Sequence, residues 1–333
     1  MQNNYSDDQV HLAARLYYVE GLGQGEVAKF TKVSQAKVSR LLALARERGI
    51  VRISVADYEP REHDLEARLR ARLGLADAIV IKIAEGLPPD ELRKSIGLFA
   101  ADAFASLIQP ESTIAISGGR TISTLVAGLP EAAEKRPVVV QTMGSVDSNV
   151  NSIDSQEVGR LLAQRLGGNF IAMNTPAFVI EKKVRDALRA LDQVGVVNGY
   201  LNDADLAIVG IGTLDNSIFI ARGALKEKDI AALKKAGAVG EVCGRFFNAA
   251  GRECATPWRD CVMSIELGQL ARIPHVIAVV AGADRSEAIL AAVAGGFLKG
   301  LVIDEQGARA LLAAAAQTAG SSGKVKTGKK KTS

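Results

Sequence analysis

Histidine is nearly absent: His11, His63 and His275 are the only three in 333 residues. Acid–base chemistry near neutral pH draws on this side chain more than any other, so an enzyme built on this chain would have to rely on carboxylates. Cysteine is equally sparse. Cys243, Cys254 and Cys261 are odd in number and lack C-x-x-C spacing, which argues against a disulfide framework and against a zinc site. Reduced thiols are expected, and no metal or cofactor is indicated. Long apolar runs are missing too. No stretch approaches the roughly 18 residues of a membrane span. The polar opening MQNNYSDDQ has no signal-peptide pattern, so a cytoplasmic location without membrane contact is expected.

What the chain does contain is, first, a helix-turn-helix spacing from Gln24 to Leu42, QGEVAKFTKVSQAKVSRLL. Val27 and Ala28 belong to a short first helix, with Ala28 small where two helices cross. Val33 closes the turn, and Val38 and Leu41 face inward from the second helix. Ser34 is placed to cap that helix by accepting an orphan backbone N–H. Its outward positions, Gln35, Ala36, Lys37, Ser39 and Arg40, include groups that read base edges and phosphates in a major groove. The turn position often held by Gly is Lys32, where a left-handed conformation costs about 1 kcal/mol. Between Lys29 and Arg52, seven Lys or Arg stand against one acid, Glu47, although the whole chain is only +4. A focused basic patch suits phosphate contacts that release counterions. After the second helix, Gly49 is a C′ glycine leading into an alternating segment, Ile50 to Val55, read as the strand of a winged module. Arg48 and Arg52 are candidates for backbone phosphates beside the groove.

Length allows a second, larger domain. The expected division is a winged helix-turn-helix over 1–57, a linker over 58–64, an α/β domain over 65–317, and a disordered basic tail over 318–333. The tail, GSSGKVKTGKKKTS from Gly320, is low in complexity. Within the large domain, apolar runs alternate with helical patterns. Strands are expected at Ala78–Ile83, Thr113–Ile116, Val138–Thr142, Phe170–Met173, Leu206–Gly210, Val276–Val280 and Leu301–Ile303. Most are continuously apolar, as parallel strands covered on both faces must be. Helices are expected at Leu65–Leu73, Leu92–Leu107, Ile122–Leu129, Ser155–Leu166, Lys182–Asp192, Glu287–Val293 and Ala308–Ala315. The pattern describes an open, mostly parallel α/β sheet. Gly240–Thr256 breaks it and reads as a β-hairpin turning at Asn248–Gly251.

Open α/β sheets bind ligands beyond the carboxyl ends of their strands. Ser117-Gly118-Gly119-Arg120-Thr121 joins a strand to a helix: its glycines let an anion approach the backbone, the helix start offers free N–H groups, and Arg120 and Thr121 add donors. A glycine turn needed for packing alone is the competing reading. The polar loop from Gly144 to Asp154 carries Asn151 and Asp154, which suit hydroxyl groups but are also common turn formers. Gly210-Ile-Gly-Thr213 reads as structural. Ala281-Gly-Ala-Asp-Arg-Ser286 again joins strand to helix, with Arg285 in reach of a phosphate.

Taken together, QGEVAKFTKVSQAKVSRLLALARERGIVRI, AISGGRT, LAIVGIG, GAVGEVCGRFFNAAG and VVAGADRSEAILAAVAGGFLKGLVIDE resemble the SorC-type sugar-binding transcriptional regulators, relatives of the deoxyribonucleoside and glycolytic-gene repressors. The resemblance runs from about Ser6 to Ala315. It implies a winged helix-turn-helix joined to an effector domain of the sugar-phosphate isomerase/deaminase type, with a phosphorylated sugar as typical effector. By motif it implies phosphate binding at Gly118, Gly119, Arg120 and Thr121, and sugar contacts at Gly144, Asn151 and Asp154. It also implies a basic and an acidic pocket residue at Arg222 and Glu241, neither marked by spacing alone. Arg285 stands where many relatives have Lys, and Arg120 departs from their Gly-Gly-Thr-Thr.

The expected function is therefore a DNA-binding regulator of a carbohydrate or polyol catabolic operon. Its partners would be double-stranded operator DNA and a sugar, sugar-phosphate or polyol effector, and it would act as a homodimer or homotetramer. Leu92–Leu107 and Leu65–Leu73 are candidate interface elements. The alternative is an isomerase- or deaminase-like enzyme fused to a DNA-binding module, with Glu241 or Asp154 as base.

Overall fold

The computed structural model describes residues 5–54, 58–148 and 150–322. The chain forms two compact units, Met1–Glu59 and Pro60–Ser333.

The first unit is helical. A helix over Asp7–Ala14, capped by Ser6, continues into a π-helical turn at Arg15–Val19, and is followed by helices Gln24–Thr31 and Gln35–Glu47. Their apolar faces meet in one small core of Val10, Ala13, Val27, Val38, Leu41, Leu42 and Ala45, and Ala28 packs against it half-buried. Lys32 adopts the left-handed conformation (φ 53°) that the turn demands. Gly49 follows the last helix at φ 70°. The segment after Gly49 differs from expectation over its described residues. No strand forms over 50–54; instead the Val51 N–H donates to the Ala45 carbonyl (3.0 Å), folding the chain back onto its own helix. Among the described residues of this unit no strand offers a ladder partner, and alternation alone does not make a strand. Residues 55–57 lie outside the described residues.

The second unit is built on a sheet of seven strands: β1 Asp77–Ile81, β2 Thr113–Ile116, β3 Val138–Gln141, β4 Asn169–Ile171, β5 Leu206–Val209, β8 His275–Val279 and β9 Gly300–Asp304. β6 (Ala238–Val242) and β7 (Arg245–Asn248) form a separate antiparallel pair. The order in the large sheet is β1-β9-β8-β5-β2-β3-β4, with every pairing parallel. Successive residues of each strand enter opposite cores. Ile79, Ile81, Ile114, Ile116, Ile208 and Ile277 point to a layer closed by helices Pro89–Ala105, Arg120–Gly128 and Ser155–Arg165. Val80, Ala115, Val140, Val209, Ala278 and Ile303 point to a layer closed by His63–Leu73, Asp192–Asn202, Ser286–Ala294 and Glu305–Ser322. This two-sided burial is why the strands read as unbroken apolar runs.

Several boundaries differ from expectation. The helix expected over Lys182–Asp192 ends at Arg189, and a second one occupies Asp192–Asn202. The final helix continues to Ser322, five residues into the segment expected to be a disordered tail; residues 323–333 lie outside the described residues. The expected linker is partly structural. Lys82 N–H donates to the Pro60 carbonyl and Glu62 N–H to the Val80 carbonyl (2.7 and 2.8 Å), so the incoming chain runs beside β1. The hairpin exists but turns at Cys243–Gly244, where both residues have positive φ (50° and 76°), the requirement of a two-residue turn matched to strand twist. Asn248–Gly251 is a second turn beyond it, closed by Gly251 N–H to Asn248 O at 2.8 Å.

Candidate functional site

From β2 the chain steps outward through β3 and β4, then returns to the other side of β2 as β5 and continues to β8 and β9. The strand order reverses between β2 and β5, whose carboxyl ends are joined by the Ser117 N–H donating to the Ile208 carbonyl at 3.0 Å. A cavity of about 490 Å³ opens at that point. Its size is that of a small-molecule site. The loops after β2, β3, β5 and β8 and the β6–β7 hairpin line it, and all ten residues singled out for effector contact lie on its wall.

One end of the cavity is cationic. Gly119 has φ 144°, a conformation open to glycine, and the helix Arg120–Gly128 begins directly after it. The N–H groups of that first turn have no acceptor within the helix. Gly118 has a packing reason for its identity: a Cβ there would lie 2.6 Å from the Ile153 carbonyl oxygen and the Ser155 nitrogen. Arg120 is exposed at the rim, whereas Arg285 is largely buried and donates to the Ala281 carbonyl and the Asp284 carboxylate. Burial lowers the Arg285 proton affinity and Asp284 opposes that, while the nearby charges of Arg93 and Arg120 lower it further. Arg93 also lines the cavity. Its position one turn inside a helix that follows β1 was the only available signal.

The other end is acidic and buried. Glu241 pairs with Gly212 through two backbone hydrogen bonds (2.8 and 2.9 Å), tying the hairpin to the loop after β5. Burial pushes its carboxyl up to about 7, against the Ser217 hydroxyl and the Gly244 N–H, which favour the ionised form. Its Oε2 is buried without a hydrogen-bond partner. Cys243, in the hairpin turn just beyond this strand, also lines the cavity and donates to Thr142 Oγ1 at 3.5 Å. Burial pushes this thiol up to about 11, so it stays protonated at neutral pH.

The polar loop after β3 is held by its own side chains. Asp154 Oδ1 is 2.9 Å from an Arg222 nitrogen, and its Oδ2 accepts the Asn151 N–H at 2.7 Å. Asn151 itself is exposed, with its Oδ1 accepting the Ile153 N–H (3.1 Å). These oxygens organise the loop. Arg222 is likewise held, by Asp154 and by Asp147 at 3.2 Å. Gly144 is a packing glycine: its N–H donates to the Met263 carbonyl, and a Cβ would lie 2.4 Å from the Thr175 carbonyl oxygen. Among the described residues, no cluster of His, Cys, Asp and Glu is placed to hold a metal ion.

On the first unit, Gln35, Ser39, Arg40 and Arg52 are exposed. Ser34 caps its helix through the Lys37 N–H (3.3 Å), and Lys37 lies 5.1 Å from the centre of the Tyr5 ring. Arg48 pairs with Asp7. The helix thus presents a polar, cationic face with its first turn firmly capped. Among the described residues no helix is long and apolar enough to cross a membrane.

Comparison with known proteins adds independent findings. The family model described as "Putative sugar-binding domain" matches residues 60–313. The sorbitol operon regulator of Klebsiella pneumoniae is 27% identical, covering 94% of this chain and 100% of that protein. The erythritol catabolism regulatory protein EryD of Brucella abortus (strain 2308) is 31% identical, covering 92% of this chain and 97% of that one. The crystal structure of the full-length sorbitol operon regulator SorC from Klebsiella pneumoniae superposes with a TM-score of 0.73 at 26% identity, over 93% of this chain and 100% of that chain.

Proposed function

The chain belongs to the SorC-type family of sugar-binding transcriptional regulators, and on that premise we propose that it regulates a carbohydrate or polyol catabolic operon under control of an effector bound in the cavity. The carrying observation is the cavity itself: arginines and free helix N–H groups at one end, an unpartnered buried carboxylate oxygen at the other. That polarity suits a sugar or polyol bearing an anionic group. The exposed face of Gln35–Glu47 in the first unit supplies the DNA contact. The effector changes operator affinity only by as much as it prefers one conformational state over another. One helix-turn-helix reads too few bases for a genomic site, so a homodimer or homotetramer on a palindrome is part of the proposal, as is a cytoplasmic location.

The raised carboxyl of Glu241 is the one feature that favours an enzyme. Against it, no His or Lys lines the cavity among the described residues, and Cys243 is held protonated. Asp154, the other candidate base, is held in an ion pair with Arg222, and the relatives named above are regulators along their whole length. A gel-shift assay of the full chain on DNA flanking its gene, with sorbitol, erythritol and their phosphate esters added in turn, tests the reading. Operator-specific binding that one compound alters, with no turnover of it, is the expected result. Thr121→Ala and Arg285→Ala should abolish the response. Binding no tighter than to random DNA would overturn the proposal.

A further inference from the structure

Three guanidinium groups meet at one end of the cavity, each from a different segment. Arg120 opens the helix after β2, Arg285 precedes the helix after β8, and Arg93 comes from the first turns of Pro89–Ala105. Arg93 is the least obvious of the three, since its helix carries no glycine loop and no polar motif. Its place is nevertheless fixed. The helices Pro89–Ala105 and Arg120–Gly128 cross at glycines: a Cβ on Gly97 would lie 2.5 Å from the Thr124 backbone, and one on Gly128 would lie 2.4 Å from the Gly97 carbonyl oxygen. Thr124 Oγ1 also reaches the Arg93 carbonyl at 2.9 Å. The backbone of Arg93 is therefore locked to the helix whose N-terminus opens on the cavity. Its side chain is only 12% exposed.

Direct pairing does not reach all three guanidinium groups. Asp90 pairs with Arg93 (2.6 Å) and Asp284 with Arg285 (2.7 Å). Asp304 also acts on Arg285, but its two oxygens accept the Gly282 and Gly307 N–H groups at 2.6 and 2.9 Å. Arg120 pairs with no carboxylate among the described residues. The free helix N–H groups add further positive potential. Cations held together in this way repel one another until an anion joins them, and planar guanidinium forks match the oxygens of a phosphoryl group.

We propose that Arg93 is an effector-binding residue: with Arg120 and Arg285 it forms a three-guanidinium bay that takes the dianionic phosphoryl group of the effector and disfavours uncharged polyols and carboxylates. The inference rests on the reading of the cavity as the effector site. Calorimetry on the full chain, with inorganic phosphate as probe and acetate as control, tests it. The wild type should bind phosphate saturably and acetate at least tenfold more weakly. Arg93→Gln should weaken phosphate binding at least tenfold. Arg93→Lys, which keeps the charge but loses the fork, should weaken it about threefold. Wild-type affinity in folded Arg93→Gln, alongside loss in Arg285→Gln, would remove Arg93 from the bay and leave the regulator reading intact. Should Arg93→Gln fail to fold, wild-type affinity in Arg93→Lys overturns the role of the fork in its place. If the wild type binds no phosphate while an uncharged polyol still alters operator binding, the phosphoryl class is wrong and the regulator reading survives.

Discussion

Arg222 and Asp154 form an ion pair of 2.9 Å across the mouth of the cavity, each with a side chain only 15% exposed. The pair joins the polar loop after β3 to the short helix Ile218–Ala221 and its exit, two segments far apart in sequence. It holds that part of the cavity wall together. Asp154→Asn removes the charge, and Arg222→Ala removes the cation that Asp147 also holds. A double-mutant cycle on unfolding free energy should give a coupling of about 1–2 kcal/mol. The single variants should alter which sugar or polyol is accepted more than the affinity for inorganic phosphate. Additive effects on stability would show the pair to be inert.

Glu241 has its carboxyl pushed up to about 7 by burial. A folded-state value above the unfolded one means that its contribution to stability is full below about pH 4.5 and is lost as pH rises through 7. Glu241→Gln removes that penalty. Urea unfolding should find the variant more stable than wild type at pH 8, by as much as roughly 3 kcal/mol, and equal to it near pH 4. A variant less stable at both pH values would mean that the carboxylate is paired.

Gly118 packs its Cα against the loop that carries Asp154, leaving no room for a methyl group. Gly118→Ala should shift either the strand end or that loop, at a cost of about 1–3 kcal/mol by overpacking. Effector binding by calorimetry should fall with it. An alanine variant with unchanged melting temperature and effector affinity would contradict this close approach.

Arg40 and Gln35 project from the same exposed face but are expected to do different work. Arg40→Ala should weaken binding to all DNA sequences alike and lower the slope of log affinity against log salt by about one phosphate contact. Gln35→Ala should relax preference at one or two base pairs, each worth about 1–3 kcal/mol. Identical salt slopes for wild type and Arg40→Ala would exclude the phosphate role.

Much of this organisation is legible in the chain. Parallel strands buried on both faces announce themselves as apolar runs, so β2, β3, β5 and β8 lie within a residue of their expected bounds. The cap at Ser34 and the left-handed turn at Lys32 follow from local backbone chemistry. The loops after β2 and β8 are visible because a strand-to-helix junction with glycine or arginine is a local pattern. By contrast, the alternation after Gly49 yields no strand over 50–54, since a ladder needs a partner and none pairs there among the described residues. The hairpin turns at Cys243–Gly244 and not at Asn248–Gly251, where turn residues also stand, because positive φ at Cys243 carries no mark in the sequence.

Periodicity, capping and turn chemistry act over a few residues, and these the sequence determined by itself: a capped helix with a polar exposed face, and a parallel sheet with its cavity-lining loops at one edge. Tertiary structure decided what each pocket residue is free to do. Asp154 and Asn151 hold their own loop, Gly118 and Gly144 became packing glycines, and Arg93 joined two arginines from distant segments. The physical reason is that hydrogen-bond commitment, burial and charge–charge repulsion depend on distances through space. Residues separated by tens to hundreds of positions acquire those distances only when the sheet order brings their loops to one edge.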